Sequence, residues 1–227
     1  MKSFTIALLA SVGLAQEDNA TCFLGTTTSC STDVAYGLTM QIAAEMGKMG
    51  HTFKTLDSTW IHCSTPCVNQ LVGPAADALA SAAKSKNDYI TLNSAWRSAA
   101  QQYLLYRWYQ KGTCGIGLAA HPGSSNHEGG RAIDTSSYNY WYDALTSHGW
   151  YHSYPTSDPV HYDYSGVGDL AATNLIAYQK LWNLNYPDQK IAEDGVYGPA
   201  TEKAFYNTRC DGFLKTSFTV EEEAFLQ

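Results

Sequence analysis

Two histidines and two aspartates in the middle of the chain have the types and the spacing for hydrolytic chemistry. The stretch "SSNHEGGRAIDTS", residues 124–136, sets His127 and Asp134 on either side of Gly129 and Gly130, and "TSDPVHYDY", residues 156–164, places Asp158 three positions ahead of His161. A turn uses the glycines and a surface uses the charges without this pairing, but side chains that converge on one point need it, and a divalent metal is the commonest such point. Two imidazoles and one carboxylate, with a fourth position left to water, form the donor set of a catalytic zinc. Each residue alone reads as ordinary polar surface, so the set carries the argument. Pro159 stiffens the short segment that presents His161, and Asp158 in the same segment can take a proton from zinc-bound water, whose pKa lies near 7. Glu128 is the competing base, because it follows a ligand histidine as in an HExxH helix. Position 131 is Arg, however, and the two glycines oppose a helix there.

These residues need elements to hold them. Helical periodicity is expected over "VAYGLTMQIAAEMGKM" and over the alanine-rich "NQLVGPAADALASAAKS", followed by a strand at "DYITLNSAWR" and a helix over "SAAQQYLLYRWYQKG" that ends on Gly112. A loop rich in Gly, Ser and Pro from 115 to 130 delivers His127 to the edge of a strand at "GRAIDTS", and a helix around "YNYWYDALTSHG" follows. Helix, strand and helix succeed one another without a βα repeat. The expected class is α+β, a small antiparallel sheet with flanking helices around the zinc site, plus a small C-terminal three-helix domain.

Composition narrows the partners and the compartment. The 227 residues include 16 tyrosines and carry a formal net charge of −7, with no local basic cluster, so nothing attracts a nucleic-acid backbone. "MKSFTIALLASVGLA", residues 1–15, has one basic residue, a short apolar run and small residues near its end, the pattern of a secretory signal, and no stretch is long enough to span a membrane. A secreted, extracellular, monomeric protein is expected. All six cysteines lie beyond residue 15, and an even number in an exported chain favours disulfides over a zinc site at "CSTPC" (63–67), while leaving their pairing open. "NAT" at Asn19 fits a glycosylation sequon.

"SNHEGGRAID" resembles the SxHxxGxAxD motif of zinc D-alanyl-D-alanine carboxypeptidases and the related L-alanyl-D-glutamate endopeptidases, in the lysostaphin, D-Ala-D-Ala peptidase and hedgehog superfamily; "DPVHYDY" resembles their second motif. The resemblance covers roughly residues 55 to 166. It implies His127, Asp134 and His161 as zinc ligands and Asp158 as the catalytic base, where many carboxypeptidases of the family have Glu, while Asp is familiar in the endopeptidase-like branch. "SAWRS" resembles the family's S-x-Y-R-S segment, which implies that Arg97 polarises the scissile carbonyl or binds a substrate carboxylate, with Trp96 in place of the more usual tyrosine. Ser125 is expected to orient substrate, since no GxSxG motif surrounds it. Asp163 is either a partner of the site or an exposed residue.

Beyond the glycines of "SGVGDLAA", the sequence "DGVYGPAT" resembles the DGxxGxxT loop of small three-helix peptidoglycan-binding domains. The expected layout is a signal peptide (1–15), a disulfide-linked arm and helix (16–54), a zinc peptidase domain (55–168), a peptidoglycan-binding helical domain (169–212) and a tail (213–227). The leading reading is a secreted zinc peptidase that hydrolyses peptidoglycan stem peptides. A wall-binding protein that keeps the zinc but not the catalysis is the first rival, disfavoured by the presence of Asp158. A glycosidase using Glu128 and Asp134 is the second, and it would survive a chelator.

Overall fold

The structure, a computed structural model, describes residues 22–216. The expected signal segment, Asn19 and most of the expected tail lie outside them. A 3-10 turn, Thr32–Ala35, leads into α1 (Tyr36–Lys48); β1 (Phe53–Thr55), β2 (Ile61–Cys63) and β3 (Gln70–Val72) precede α2 (Gly73–Lys86). Then come β4 (Ile90–Leu92), α3 (Ala99–Lys111), β5 (Ala132–Asp134), α4 (Tyr138–Thr146), β6 (Trp150–Tyr151) and β7 (His161–Tyr164). The last elements among the described residues are α5 (Ala171–Asn185), a 3-10 turn at Pro187–Gln189, and α6 (Pro199–Tyr206). This is an α+β fold, as the succession of elements led us to expect.

Local chemistry explains the helix ends. Ser98 accepts from the Gln101 N–H while the Gln101 side chain accepts from the Ser98 N–H, a reciprocal cap that starts α3, and Gly112, at φ 60°, stops it in the left-handed conformation that glycine tolerates. Pro74 sits in the first turn of α2 and Pro199 in that of α6, where a missing N–H costs nothing. The helix expected over 69–85 begins only at Gly73, because Gln70–Val72 pair antiparallel with β1.

The sheets are short. β1 pairs with β3, β2 pairs parallel with β4, and β5, β7 and β6 form an antiparallel sheet in the order β5-β7-β6. Asn93 N–H donates to the Asp134 carbonyl at 2.8 Å and Asp134 N–H to the Ser94 carbonyl at 2.9 Å, so the chain leaving β4 is stitched to β5. Two hydrophobic clusters flank that seam. One gathers α2, α4 and the strands, including Ala95, Ile133 and Tyr162; the other gathers α1, α3, α5 and α6, including Trp96. Successive residues Ala95 and Trp96 thus enter opposite cores, as extended backbone directs.

The six cysteines pair as Cys22–Cys210, Cys30–Cys114 and Cys63–Cys67, so "CSTPC" closes on itself as a disulfide. The boundary expected at 168 does not interrupt the core. Leu175, Tyr178, Leu181, Trp182 and Phe205 are buried together with Leu38, Ile42 and Leu104, and the Tyr178 ring stacks on Phe205 at 3.7 Å. The segment expected as three helices holds α5, the 3-10 turn and α6. Removing Leu175, Tyr178, Leu181, Trp182 and Phe205 uncovers the apolar side chains packed on them, Leu38, Ile42 and Leu104 among these, at about 1.5–3 kcal/mol for each one fully exposed, a loss comparable with the ~5–15 kcal/mol by which a domain is stable. A chain ending at Gly168 is therefore expected to lose its cooperative thermal transition and near-ultraviolet circular dichroism, whatever metal is added; a sharp melt would show that the first 168 residues fold alone.

Candidate metal centre and active-site cleft

Asp134 ends β5 and His161 begins β7, and the two are direct partners in the β5–β7 register. His127 comes from the loop before β5. Its Nδ1–H donates to the Ala95 carbonyl at 2.8 Å, which leaves Nε2 bare and 3.3 Å from Asp134 Oδ1. His161 Nδ1 lies 3.1 Å from the same oxygen, while its Nε2–H donates to Asp163 Oδ1 at 3.1 Å. Thus each imidazole has one nitrogen fixed by the protein and the other turned to a common point, the arrangement by which an outer carboxylate or carbonyl orients a metal-binding histidine. One donor atom from each of His127, Asp134 and His161 lies within 4.8 Å of the others. Both histidines are buried. The donor set fits a small N/O-ligated divalent ion such as zinc.

Asp163, left open between partner and exposed residue by the sequence, is 1% exposed, and it also accepts from the Ser153 hydroxyl. Burial raises its pKa, but the hydrogen bonds from His161 and Ser153 outweigh this and keep the carboxyl below its ordinary value. Burial depresses His127, and Asp134 only partly offsets it. For His161 burial acts in the same sense, yet the Asp134 and Asp163 carboxylates reverse it and lift the pKa to about 9. Asp134, against its own burial, is held far below the carboxylate range by the two histidines and Arg97.

Arg97 follows the β4 extension. Its Nη1 donates to Gln102 Oε1 at 2.8 Å and its Nη2 to Ser94 Oγ at 3.0 Å, with Asp134 Oδ2 at 3.9 Å. These bonds hold the guanidinium beside the His127, Asp134 and His161 cluster, where it lines a cleft. A cleft of about 530 Å³ opens here, lined among others by Arg97, Ser125, Tyr154, Asp158 and His161. Past Arg97 it adjoins a second cavity of about 230 Å³, walled by Val68, Trp108 and Ile116 with Cys30 and Cys67. Asp158 sits on the cleft wall beside His161, and burial followed by the nearby Asp134 charge pushes its carboxyl upward, which makes it a stronger base.

Glu128 does something else. It is fully buried, and its carboxyl accepts from the N–H groups of Gly123 at 2.8 Å and Ser125 at 3.1 Å, closing the loop that carries His127; it does not line the cleft. Burial lifts its pKa to about 8 despite those bonds. The candidate bases separate on position alone: Asp158 faces the cleft and Glu128 the loop interior. His148 and His152 bond the carbonyls of Ala144 and Pro159, and His121 stacks on Tyr197, so none joins the cluster. Trp96 donates its Nε1–H to the Glu128 carbonyl and packs on Phe53, a use of the ring that needs no hydroxyl. Sequence reasoning missed Ser94, Gln102 and Tyr154. Ser94 was visible as the first letter of "SAWRS"; the other two carry no local signal.

Residues 66–166 match the model of the VanY family, D-alanyl-D-alanine carboxypeptidase, and the match contains every residue of the cleft named above. No curated protein matches the chain. The match supports a carboxypeptidase-like peptidoglycan hydrolase with a candidate His-Asp-His metal site.

Because His161 keeps its proton up to about pH 9 in the metal-free protein, a metal must displace that proton. Zinc affinity is therefore expected to rise as pH is raised from 6 toward 9, with about one proton released per ion across that range, as titration calorimetry in buffers of different ionisation enthalpy would measure. Binding without proton release would overturn the ligand role of His161.

Proposed function

We propose that the protein is a secreted zinc peptidase that removes the terminal D-alanine from peptidoglycan stem peptides. His127, Asp134 and His161 would hold the zinc, which would supply Lewis acidity, lowering the pKa of a water to about 7 and polarising a carbonyl. Asp158, raised and placed beside His161 on the cleft wall, takes the proton of the attacking water and passes it to the departing amine. Ser125 lines the same cleft and orients the peptide. The secreted setting is supported by three disulfides, which persist in oxidising compartments, and by the absence, among the described residues, of a helix able to cross a membrane.

The description of the matched family favours the carboxypeptidase type over the endopeptidase type, and the cleft holds a group able to bind such a substrate. The Arg97 guanidinium is largely buried, braced by Gln102 and Ser94, and lines both cavities, so it presents a fixed positive charge beside the metal site. A substrate with a free terminal carboxylate uses such a charge as an anchor, and the spare carboxylate of a D-glutamyl residue would use it equally, so the products of digestion separate the two types. Digestion of purified peptidoglycan with and without chelator, followed by mass analysis, tests this. The expected outcome is chelator-sensitive loss of D-alanine from pentapeptide stems. Release of whole stems would assign the endopeptidase type, and activity that survives chelation would end the zinc reading. Asp158→Asn is expected to keep zinc and lose turnover by about 10²–10⁴-fold, the range of a general base; near-normal turnover would remove Asp158 from that role.

Residues 169–212 are proposed to add attachment to the polymer, which raises the local substrate concentration. Support comes from the resemblance of "DGVYGPAT" to a peptidoglycan-binding loop. Since Asp194 and Thr201 are bonded inward to Gln179, polymer contact falls to the outer groove of about 440 Å³ beside Lys180, Leu184, Pro187 and Lys190. A Leu184→Ala, Lys190→Ala double variant should sediment several-fold less with wall sacculi while cleaving a soluble stem peptide at the full rate. Unchanged sedimentation would leave these helices a structural role only.

A further inference from the structure

The cleft is built from residues 94–163, yet one side chain from beyond that stretch reaches its supporting backbone. Asn174, near the start of α5, is fully buried. Its Oδ1 accepts from the Ala99 N–H at 2.8 Å, and its Nδ2 donates to the Arg97 carbonyl at 3.0 Å and the Glu128 carbonyl at 3.1 Å. A carboxamide has one oxygen and two N–H groups, and two backbone carbonyls accept only from N–H, so the partners themselves fix which end of the amide faces which way. The Ala99 N–H is one of the opening donors of α3 that no turn of its own helix can satisfy.

The three partners belong to the two segments that carry Arg97 and His127. Arg97 and Ala99 continue the β4 extension, and Glu128 follows His127. Those segments are already laced together by Arg97 N–H to the His127 carbonyl, 3.2 Å, and by His127 Nδ1–H to the Ala95 carbonyl, 2.8 Å. Asn174 joins the same seam from α5, so the backbone N–H of Arg97 is tied to the His127 residue and its carbonyl to α5. Neighbouring contacts point the same way. A Cβ added to Gly123 would meet Leu175 and the Gly195 carbonyl, and the Tyr197 ring stacks on His121 at 5.9 Å, so the loop that leads to His127 rests on the C-terminal helices.

We infer that Asn174 is a positioning residue for the catalytic site, holding Arg97 and His127 in register across two chain segments, and that α5 is part of the catalytic unit. What the register achieves rests on the peptidase reading above; the register itself rests on the hydrogen bonds. Displacing a catalytic group by about 1 Å can cost 10²-fold in rate. A loss of roughly tenfold to a hundredfold in kcat is therefore expected when the clamp is broken.

The test compares two asparagines of one helix in the full chain. Asn174→Asp keeps the shape and the acceptor but removes both donors and sets a charge against two carbonyls. Asn183 also makes three hydrogen bonds, all to the 191–193 loop, and Asn183→Asp serves as the matched control. Thermal midpoint, zinc affinity by competition with a chromophoric chelator, and kcat and KM on a stem peptide ending in D-alanyl-D-alanine are read for each. Both variants should melt lower. Asn174→Asp alone should bind zinc more weakly and lose kcat at least tenfold, and Asn174→Ser, small and neutral, takes its place if the aspartate does not fold. Wild-type kcat and zinc affinity in the Asn174 variant would overturn the inference, as would equal losses in the Asn183 control. A wild-type protein that held zinc but cleaved no stem peptide would sink the peptidase reading alone, and the zinc affinities of the two variants would then decide the clamp.

Discussion

Everything at the site depends on the register of two short strands. Asp134 and His161 face each other across the β5–β7 ladder, and directly opposed residues on one face stand about 4.5–5.5 Å apart at Cβ, close enough for their side chains to share one ion. A slip of one residue would turn one of them to the other face and dissolve the site. The register is set from outside the ladder as well, because Asn93 and Ser94 bond both backbone groups of Asp134 and so fasten β5 to the strand that leads into Arg97. The same two hydrogen bonds therefore place a candidate metal ligand and the positive charge that lies near it.

The electrostatics follow from that crowding. Two histidines meet at one oxygen of Asp134 and the Arg97 guanidinium lies near the other, all drawn largely out of water, where unpaired charge is costly. The protein meets the cost with orientation: Ala95 and Asp163 each take one imidazole proton, and Gln102 and Ser94 brace the arginine. Glu128 extends the scheme to the backbone, with a buried carboxyl that gathers the N–H groups of a glycine-rich loop. The loop is glycine-rich for a reason visible at Gly130, whose φ of +67° and close approach to Phe53 leave no comfortable place for a side chain.

The two cores divide the labour. The one around α2 and α4 supports the strands that carry Asp134 and His161, and the other, around α1, α3 and α5, supports Trp96 and the helix that follows Arg97. The cleft forms where they meet, so its parts are joined less by local sequence than by side chains that cross from one element to another. Cys22–Cys210 links the arm before α1 to the chain end after α6, which closes the second core on itself.

The sequence by itself was enough for whatever short-range chemistry encodes: the helical run of α3 and its stop at Gly112, the α+β succession, and the grouping of His127, Asp134, Asp158 and His161 from residue types whose spacing serves a common point. It left open whatever depends on distant partners. The strands β1, β2, β3, β6 and β7 are two to four residues long, too short for an alternating pattern to declare itself, and exist because a partner strand is there. The disulfide pairs needed three-dimensional proximity, as did the place of Glu128, which the letters set aside as a base but could not assign to closing the loop. Asn174 shows the limit most plainly. It stands 47 residues from His127 in the chain, inside a helix whose sequence reads as part of a separate module. Only the packing of α5 against the start of α3 brings its amide to the backbone of Arg97 and Glu128, because hydrogen bonds act over about 3 Å of space and take no account of distance along the chain.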